Sequence, residues 1–408
     1  MSSKDSNKHL VGQPIFKQVL NLIPRGKFDL LVHQHRSDRY YKTFDSWTHL
    51  TTMLFGILSR CDSMGEVCDG MRALAGKLNY LGLNSSPAKS TAGDGLRGRD
   101  NEFFKEVYFM LIKHFEPILS VSRKEAISFE KFYAFDSTTI SLFSDVMKGV
   151  GRNPKGDGRK KGGLKVHMLT DVHADSAVFA KISEAKMHDK KFLQHLNPSK
   201  GSMLVFDKAY NYYRQFADWT DDQVYFVCRL KDNAKAIVQQ IIFDEPPSQG
   251  RVYRVEHIHL KYTVDKHEKT LCLRLVHYRD EMGRSYKFIT NNWEITPEEV
   301  ALIYKHRWSI ETTFKKLKQN FQLRYFYSDT ENGIKTQIWC TLIAHLLLNV
   351  IRVISKTKKA FSTVAALIRM HLISHLDMIW VSTEGRRAYA RTKIKRNKDP
   401  ISVQLSIF

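Results

Sequence analysis

Two unbroken apolar runs constrain this chain more than any other feature. Phe132-Tyr133-Ala134-Phe135 stops at Asp136, and Met203-Leu204-Val205-Phe206 stops at Asp207. A half-exposed strand alternates apolar and polar residues, whereas a run without alternation needs cover on both faces, as in the central strands of an α/β sheet. Around these runs the pattern predicts strands at Leu164–Leu169, Ala177–Ile182 and Val224–Val227, a short helix near Lys190–Leu196 and a helix from Tyr210 to Trp219. Functional groups gather at the carboxyl ends of such strands, and adjacent central strands bring Asp136 and Asp207 together. Either aspartate taken alone reads equally as a turn former or helix cap.

The rest of the chain divides by composition. Residues 1–125 read as a helical region suited to DNA binding, polar and basic to about residue 40 apart from an apolar patch from Ile15 to Ile23. Trp47, Leu50, Leu54, Ile57 and Leu58 form one helical stripe, and Met64, Val67, Met71 and Leu74 another, with Asp62 or Ser63 as the intervening N-cap. The same pattern fits a plain helical hairpin. Residues 84–100, rich in Gly, Ser and charge, read as a linker or DNA-tracking loop. A helix is expected from Glu102 to about Leu119, and residues 145–163 read as an exposed basic loop. Residues 126–239 hold the two aspartates. Residues 240–294 read as a β-rich insertion, with strands at Arg251–His259, Leu271–His277 and Tyr286–Thr290. Residues 295–330 carry one long helix from Pro297 to about Phe321, announced by Thr296-Pro-Glu-Glu. Residues 331–408 read as apolar helices followed by a basic tail.

Charge indicates the partner. Lys and Arg total 64 against 42 Asp and Glu, a net +22, and basic side chains that displace counterions make nucleic acid the simplest polyanion. Cys61, Cys68, Cys228, Cys272 and Cys340 form no CxxC pair, so they read as reduced thiols of a cytoplasmic protein and give zinc little support. The first thirty residues lack a signal peptide's apolar run. The most apolar stretch, Trp339–Ile354, contains His345, Asn349 and Arg352 and reads as a buried core helix, so no membrane partner is expected.

The long helix supplies a third acid. Tyr304, Arg307, Glu311 and Lys318 fall within an arc of roughly 60° on an ideal helix. Ile303, Ile310, Phe314, Leu317 and Phe321 make an adjacent apolar stripe that would dock on the sheet. A bare Arg307–Glu311 helix salt bridge explains two of these residues just as well. The spacing Tyr304-x2-Arg307-x3-Glu311-x6-Lys318, however, resembles in full the YREK signature of DDE transposases of the insertion-sequence-four family. Phe135-Asp136-Ser137-Thr138 and Leu204-Val205-Phe206-Asp207-Lys208-Ala209-Tyr210 resemble that family's first and second acidic blocks. The interval from Asp207 to Glu311 accommodates its β-strand insertion, and the opening 120 residues resemble a subgroup's N-terminal region. The Gly-rich residues 88–97 depart from the pattern and blur the edge of the DNA-binding region.

The resemblance implies an α/β fold: a ribonuclease H-like catalytic core with a β-rich insertion, flanked by helical N- and C-terminal regions. It implies Asp136, Asp207 and Glu311 as catalytic metal ligands for two Mg²⁺ or Mn²⁺ ions, with Asp136 bridging. Three carboxylates suit a hard cation, and a metal pair can activate a nucleophile and stabilise a leaving oxygen. Arg307, Lys318 and Tyr304 would hold phosphates, with Lys208 and Tyr210 as further DNA contacts. Trp308 is expected to pack, and His188-Asp189 either to lie near the site or to make a turn. The expected partners are transposon-end and target double-stranded DNA, with a dimer in the synaptic complex. Two rivals share these residues: a nuclease without strand transfer, and a non-enzymatic DNA-binding regulator.

Overall fold

The computed structural model describes residues 10–74, 76–120, 129–141, 163–173, 176–184, 189–321, 323 and 325–383. The basic loop up to residue 162, the basic tail and His188 fall outside these residues. The chain forms two compact units.

The second unit, Leu119–Lys318 with Asp329–Glu331, is built on a nine-stranded sheet. Its strands are β1 (Phe132–Ser141), β2 (Gly163–Asp171), β3 (Ser176–Glu184), β4 (Met203–Phe206), β5 (Tyr225–Arg229), β6 (Ala236–Asp244), β7 (Arg251–Val264), β8 (His267–Arg279) and β9 (Ser285–Thr290). They lie in the order β3-β2-β1-β4-β5-β9-β8-β7-β6. β1, β2 and β3 are antiparallel neighbours, while β4 and β5 run parallel to β1. This 3-2-1-4-5 arrangement is that of a ribonuclease H-like core, as the sequence implies. The β-rich segment is not a separate layer, because β9 pairs antiparallel with β5 and continues the core sheet outward through β8, β7 and β6.

Burial on both faces explains the apolar runs. Phe132, Ala134, Phe135 and all of Met203–Phe206 are fully buried. The Phe135 ring stacks on Phe192 at 4.9 Å and meets Tyr210 edge-on at 4.6 Å, while Phe206 packs among Phe216, Trp219 and Phe226. These rings fix the β-strand segments that lead into the two aspartates. Asp136 does not end its strand, which continues to Ser141 because β2 pairs along its whole length. Helix α7 (Tyr213–Asp221) is preceded by a 3₁₀ turn at Lys208–Tyr210, so the expected single helix is divided. The Lys190–Leu196 segment is likewise a 3₁₀ turn, Asp189–His195.

The long helix of the third acid is two helices: α8 (Pro297–Lys305) and α9 (Trp308–Asn320). The expected capping box at Thr296 and Glu299 forms. Between the helices His306, Arg307, Ser309 and Ile310 each bond three residues back, the tight 3₁₀ geometry that overwinds the chain. No Pro or Gly marks this break, so the sequence pattern ran through it.

The first unit, Met1–Ile118, Gln319–Ser328 and Asn332–Phe408, has helices as its regular elements among the described residues, with one β-bridge between Leu10 and Leu376. It comprises α1 (Ile15–Leu20), α2 (Arg25–His35), α3 (Ser46–Ser59), α4 (Met64–Arg72), α5 (Lys89–Gly98), α6 (Asn101–Ser120), α10 (Glu331–Ile354), α11 (Phe361–Met370) and α12 (Met378–Thr383), bounds that overlap the unit limits at α6 and α10. α3 and α4 follow the two predicted stripes, with Ser63 capping α4. α2 lies in a stretch that shows little apolar periodicity. The linker expected at 84–100 is instead α5, followed by the fully buried Arg99, whose guanidinium donates to Ser37 O and Phe44 O and contacts the His49 ring at 2.7 Å. α10 is long and apolar enough to cross a bilayer, yet most of it is buried within the protein.

Asn291 locks the joint between α7, β5 and β9. Its Oδ1 accepts from Phe226 N, and its Nδ2 donates to Val224 O and Thr220 Oγ1. Asn291→Ala strands a buried amide, so urea denaturation should report a loss of about 1–3 kcal/mol. An unchanged midpoint would remove this lock from the account.

Candidate active site

The register of two parallel strands sets the first pair of acids. Phe132, Tyr133 and Ala134 on β1 lie opposite Met203, Leu204 and Val205 on β4. Carried two residues further, that register sets Asp136 beside Asp207, on strands spaced about 4.8 Å apart. β1 continues past this point while β4 stops, so Asp207 enters the following turn.

The third acid arrives through the kink. α8 packs on the sheet through buried Val300, Ala301 and Ile303, and the Tyr304 ring lies 4.5 Å from Phe288 of β9. Directly after it, Arg307 reaches two acids at once. Its Nη2 donates to Glu311 Oε1 at 2.6 Å, and its Nη1 lies 3.6 Å from Asp136 Oδ2. Among the described residues the buried Arg307 Nε has no hydrogen-bond partner. The Tyr304 hydroxyl donates to Asp207 Oδ1 at 3.2 Å. Tyr304, Arg307 and the three acids therefore form one chain of contacts, and the helix salt bridge anticipated as the plain reading is one link of it.

The electrostatics show the strain of this grouping. Asp136 is mostly buried, and its carboxyl is pushed up to about 6 by desolvation, with Glu311 and Asp207 adding repulsion. The Ser137 amide and Arg307 oppose the shift without cancelling it. Burial also pushes the Tyr304 phenol up, keeping it a hydrogen-bond donor.

Among the described residues no three His, Cys, Asp or Glu side chains are drawn together tightly enough to hold a metal ion. The donor chemistry nevertheless fits a divalent cation. Three carboxylates act on one another in a half-buried site, and the positive charge between two of them comes from a guanidinium. A hard cation needs such oxygens, and like charges this close call for a counterion.

The remaining expected residues take different places. Lys318 is exposed on α9. Lys208 pairs with Asp232 at 2.7 Å. Tyr210 is buried, and its hydroxyl lies 3.4 Å from Asp136 Oδ1, so it supports an acid directly. Trp308 is not packed: it is 63% exposed and lines a cleft of about 430 Å³ with Arg229, Tyr278, Tyr286, Tyr304 and Arg307. Within the cleft Arg229 lies over the Tyr286 ring at 5.1 Å. The sequence did not mark Arg229 or Tyr286 as site residues, because β9 returning to β5 is a tertiary event with no local signal. Asp189's side chain and His188 lie outside the described residues.

Comparison with known proteins supplies the family. A family model described as the transposase DDE domain matches residues 127–347, more than half the chain, and one described as a domain of unknown function, DUF4372, matches 11–84. The chain belongs to the DDE transposase domain family, whose members depend on divalent metal. It is 26% identical over 198 residues to a putative transposase, y4zB, of Sinorhizobium fredii, covering 48% of this chain and 55% of that protein. It is 24% identical over 214 residues to a probable transposase for insertion sequence element IS5377 of Geobacillus stearothermophilus, covering 52% and 54%. A putative transposase for insertion sequence element IS4SA of Synechocystis is 24% identical over 287 residues, covering 69% of this chain and 76% of that one. The chain thus spans about half the length of the first two relatives. A solved piggyBac transposase synaptic complex with hairpin DNA aligns over all of this chain and 88% of its own, at 12% identity and a TM-score of 0.41.

Because the folded Asp136 carboxyl titrates above its ordinary value, ionising it costs stability in the metal-free protein. That contribution is intact below pH 4 and is lost as pH rises through about 6. Asp136→Asn should therefore stabilise the metal-free protein at pH 7.5 by on the order of 1–2 kcal/mol, with the gain vanishing near pH 4. Thermal melts at both pH values check this. Destabilisation at pH 7.5 would mean that the Arg307 contact outweighs burial and repulsion.

Proposed function

We propose that this protein is a DNA transposase of the insertion-sequence-four type that binds terminal inverted repeats, hydrolyses the phosphodiester at the element's ends and joins the freed 3′-OH to target DNA. The observation that carries the proposal is the contact chain from Asp136 through Arg307 to Glu311, beside Asp207 and Tyr304, on a sheet of the matching order.

Asp136, Asp207 and Glu311 would hold two Mg²⁺ or Mn²⁺ ions, which when bound supply nucleophile activation and relief of charge on the leaving oxygen. Asp136 loses its proton before it can serve as a ligand, and a bound cation would favour that ionised form. In the first reaction a water oxygen bonds to phosphorus while the bridging P–O3′ bond breaks, leaving a 3′-OH and a 5′-phosphate. In the second, that 3′ oxygen bonds to a target phosphorus and displaces a target 3′ oxygen, which takes up a proton.

Arg307 has a second task. Without DNA it neutralises two acids, and its planar fork is equally suited to a phosphate. A scissile strand arriving over the site offers it that phosphate, and Tyr304 can likewise turn its hydroxyl from Asp207 to DNA. Exposed Lys318 adds a point charge further along α9. Lys208 gives a weaker contact, since Asp232 already holds it, and Tyr210 acts on Asp136. The net +22 supplies the general attraction to DNA, and two such molecules would synapse the ends.

Glu311→Gln should abolish Mg²⁺-dependent nicking of end-containing DNA, a loss of at least about 10³-fold, while end binding stays within a few-fold of wild type. Gel-shift and nicking assays on the same substrate read both. Pre-cut ends given to the wild type should yield joined product. Hydrolysis without joining favours the nuclease reading, and absence of all metal-dependent cleavage favours the regulator.

Arg307→Ala should weaken binding of pre-cut ends and reduce the slope of log affinity against log salt by about 1, the signature of one lost phosphate contact. An unchanged slope would confine Arg307 to its contacts with the acids.

A further inference from the structure

Strand β6 forms one edge of the nine-stranded sheet, and among the described residues no strand pairs with its outer side. Eight of its nine residues, Ile237 to Asp244, are exposed. They include Ile237, Val238, Ile241, Ile242 and Phe243, each between 36 and 50% exposed. An open edge of this kind is normally protected by short length, Lys, Pro or bulges. β6 has bulges against β7 at Val238/Gln240 and Ile241/Phe243, but it is long, contains neither Lys nor Pro, and has Asp244 as its sole charged residue. No Lys or Arg occurs from 236 to 250, although the whole chain carries +22. DNA therefore finds no cation on this strip, while a second copy, repelled elsewhere, meets no like charge here.

The order of side chains identifies the occupant. If β6 meets itself antiparallel about a two-fold axis between Gln239 and Gln240, Gln239 lies opposite Gln240, Val238 opposite Ile241 and Ile237 opposite Ile242. Ala236 then lies opposite Phe243, and exposed Lys235 opposite Asp244. Apolar meets apolar, amide meets amide and cation meets anion, in the isologous arrangement that a two-fold dimer requires. Asp244 already has one partner, Arg254 at 3.1 Å, and remains half exposed for a second.

The edge is about 30 Å long at roughly 3.4 Å per residue. A specific interface covers about 800 Å² per partner, more than the strand alone provides. Beside it, Ile242, Phe243, Val252, Val255 and Trp293 line a groove of about 390 Å³ that continues the apolar strip.

We infer that β6 is a self-association surface, through which two copies of this chain pair their sheets edge to edge into a continuous sheet. The inference does not depend on the catalytic reading, and its test uses neither metal nor DNA, so either can fail without the other.

The test is sedimentation equilibrium on the full chain without DNA, at moderate salt and micromolar concentration. Wild type should sediment as a dimer. Val238→Lys and Ile241→Lys should each raise the dimer dissociation constant by at least about tenfold, equivalent to 1.4 kcal/mol, with the circular dichroism spectrum of the folded chain unchanged. A second arm holds if a lysine variant folds poorly. Gln239→Cys with Gln240→Cys, in a Cys272→Ser background that removes the exposed native thiol, should give a covalent dimer on mild oxidation. A monomeric wild type, or a dimer that is insensitive to lysine and not cross-linked at these positions, overturns the inference.

Discussion

Two carboxylates at the same level on adjacent parallel strands are the constraint around which the sheet-bearing unit is arranged. Asp136 and Asp207 lie side by side because β1 and β4 pair in register and the aromatic packing behind them fixes both strands. Burial on the sheet is the main reason that Asp136 holds its proton up to about pH 6, with repulsion from Glu311 and Asp207 adding to it. Arg307 and Tyr304 contact the acids from the opposite side, and both are placed by the overwound turn joining α8 to α9. The same two residues read in the sequence as DNA contacts. On the proposed reading these two residues would serve both the acids and the phosphates of DNA.

Much of this was legible in the sequence because the signals were local. Met203–Phe206 could only be a covered strand, and Asp207 marked its end. Thr296-Pro-Glu-Glu fixed the start of α8. The YREK spacing singled out Tyr304 and Arg307, which contact the acids, yet the ideal-helix arc behind it assumed a continuous helix. Arg307 instead sits at a break made by backbone hydrogen bonds three residues apart, and neither Gly nor Pro announced it.

What sequence reasoning missed depends on tertiary partners. Asp136 seemed to end a strand because the residues after it are polar, whereas pairing with β2 extends β1 to Ser141. Residues 84–100 looked like a linker from their Gly and Ser content, but α5 forms there and buried Arg99 follows it. Trp308 was expected to pack and is instead exposed at the first residue of α9, directly after the overwound turn. Strand β6 went unread because its apolar residues lack the alternation of a half-buried strand, the property that makes its edge a surface for another copy.

The central claim is that Asp136, Asp207 and Glu311 converge on shared cations. Anomalous diffraction from Mn²⁺-soaked crystals, grown with a DNA end to draw Arg307 away from the acids, tests it most directly. The account predicts manganese within bonding distance of oxygens from all three side chains. Manganese held by other acids, or by the aspartate pair with Glu311 still turned to Arg307, would contradict it.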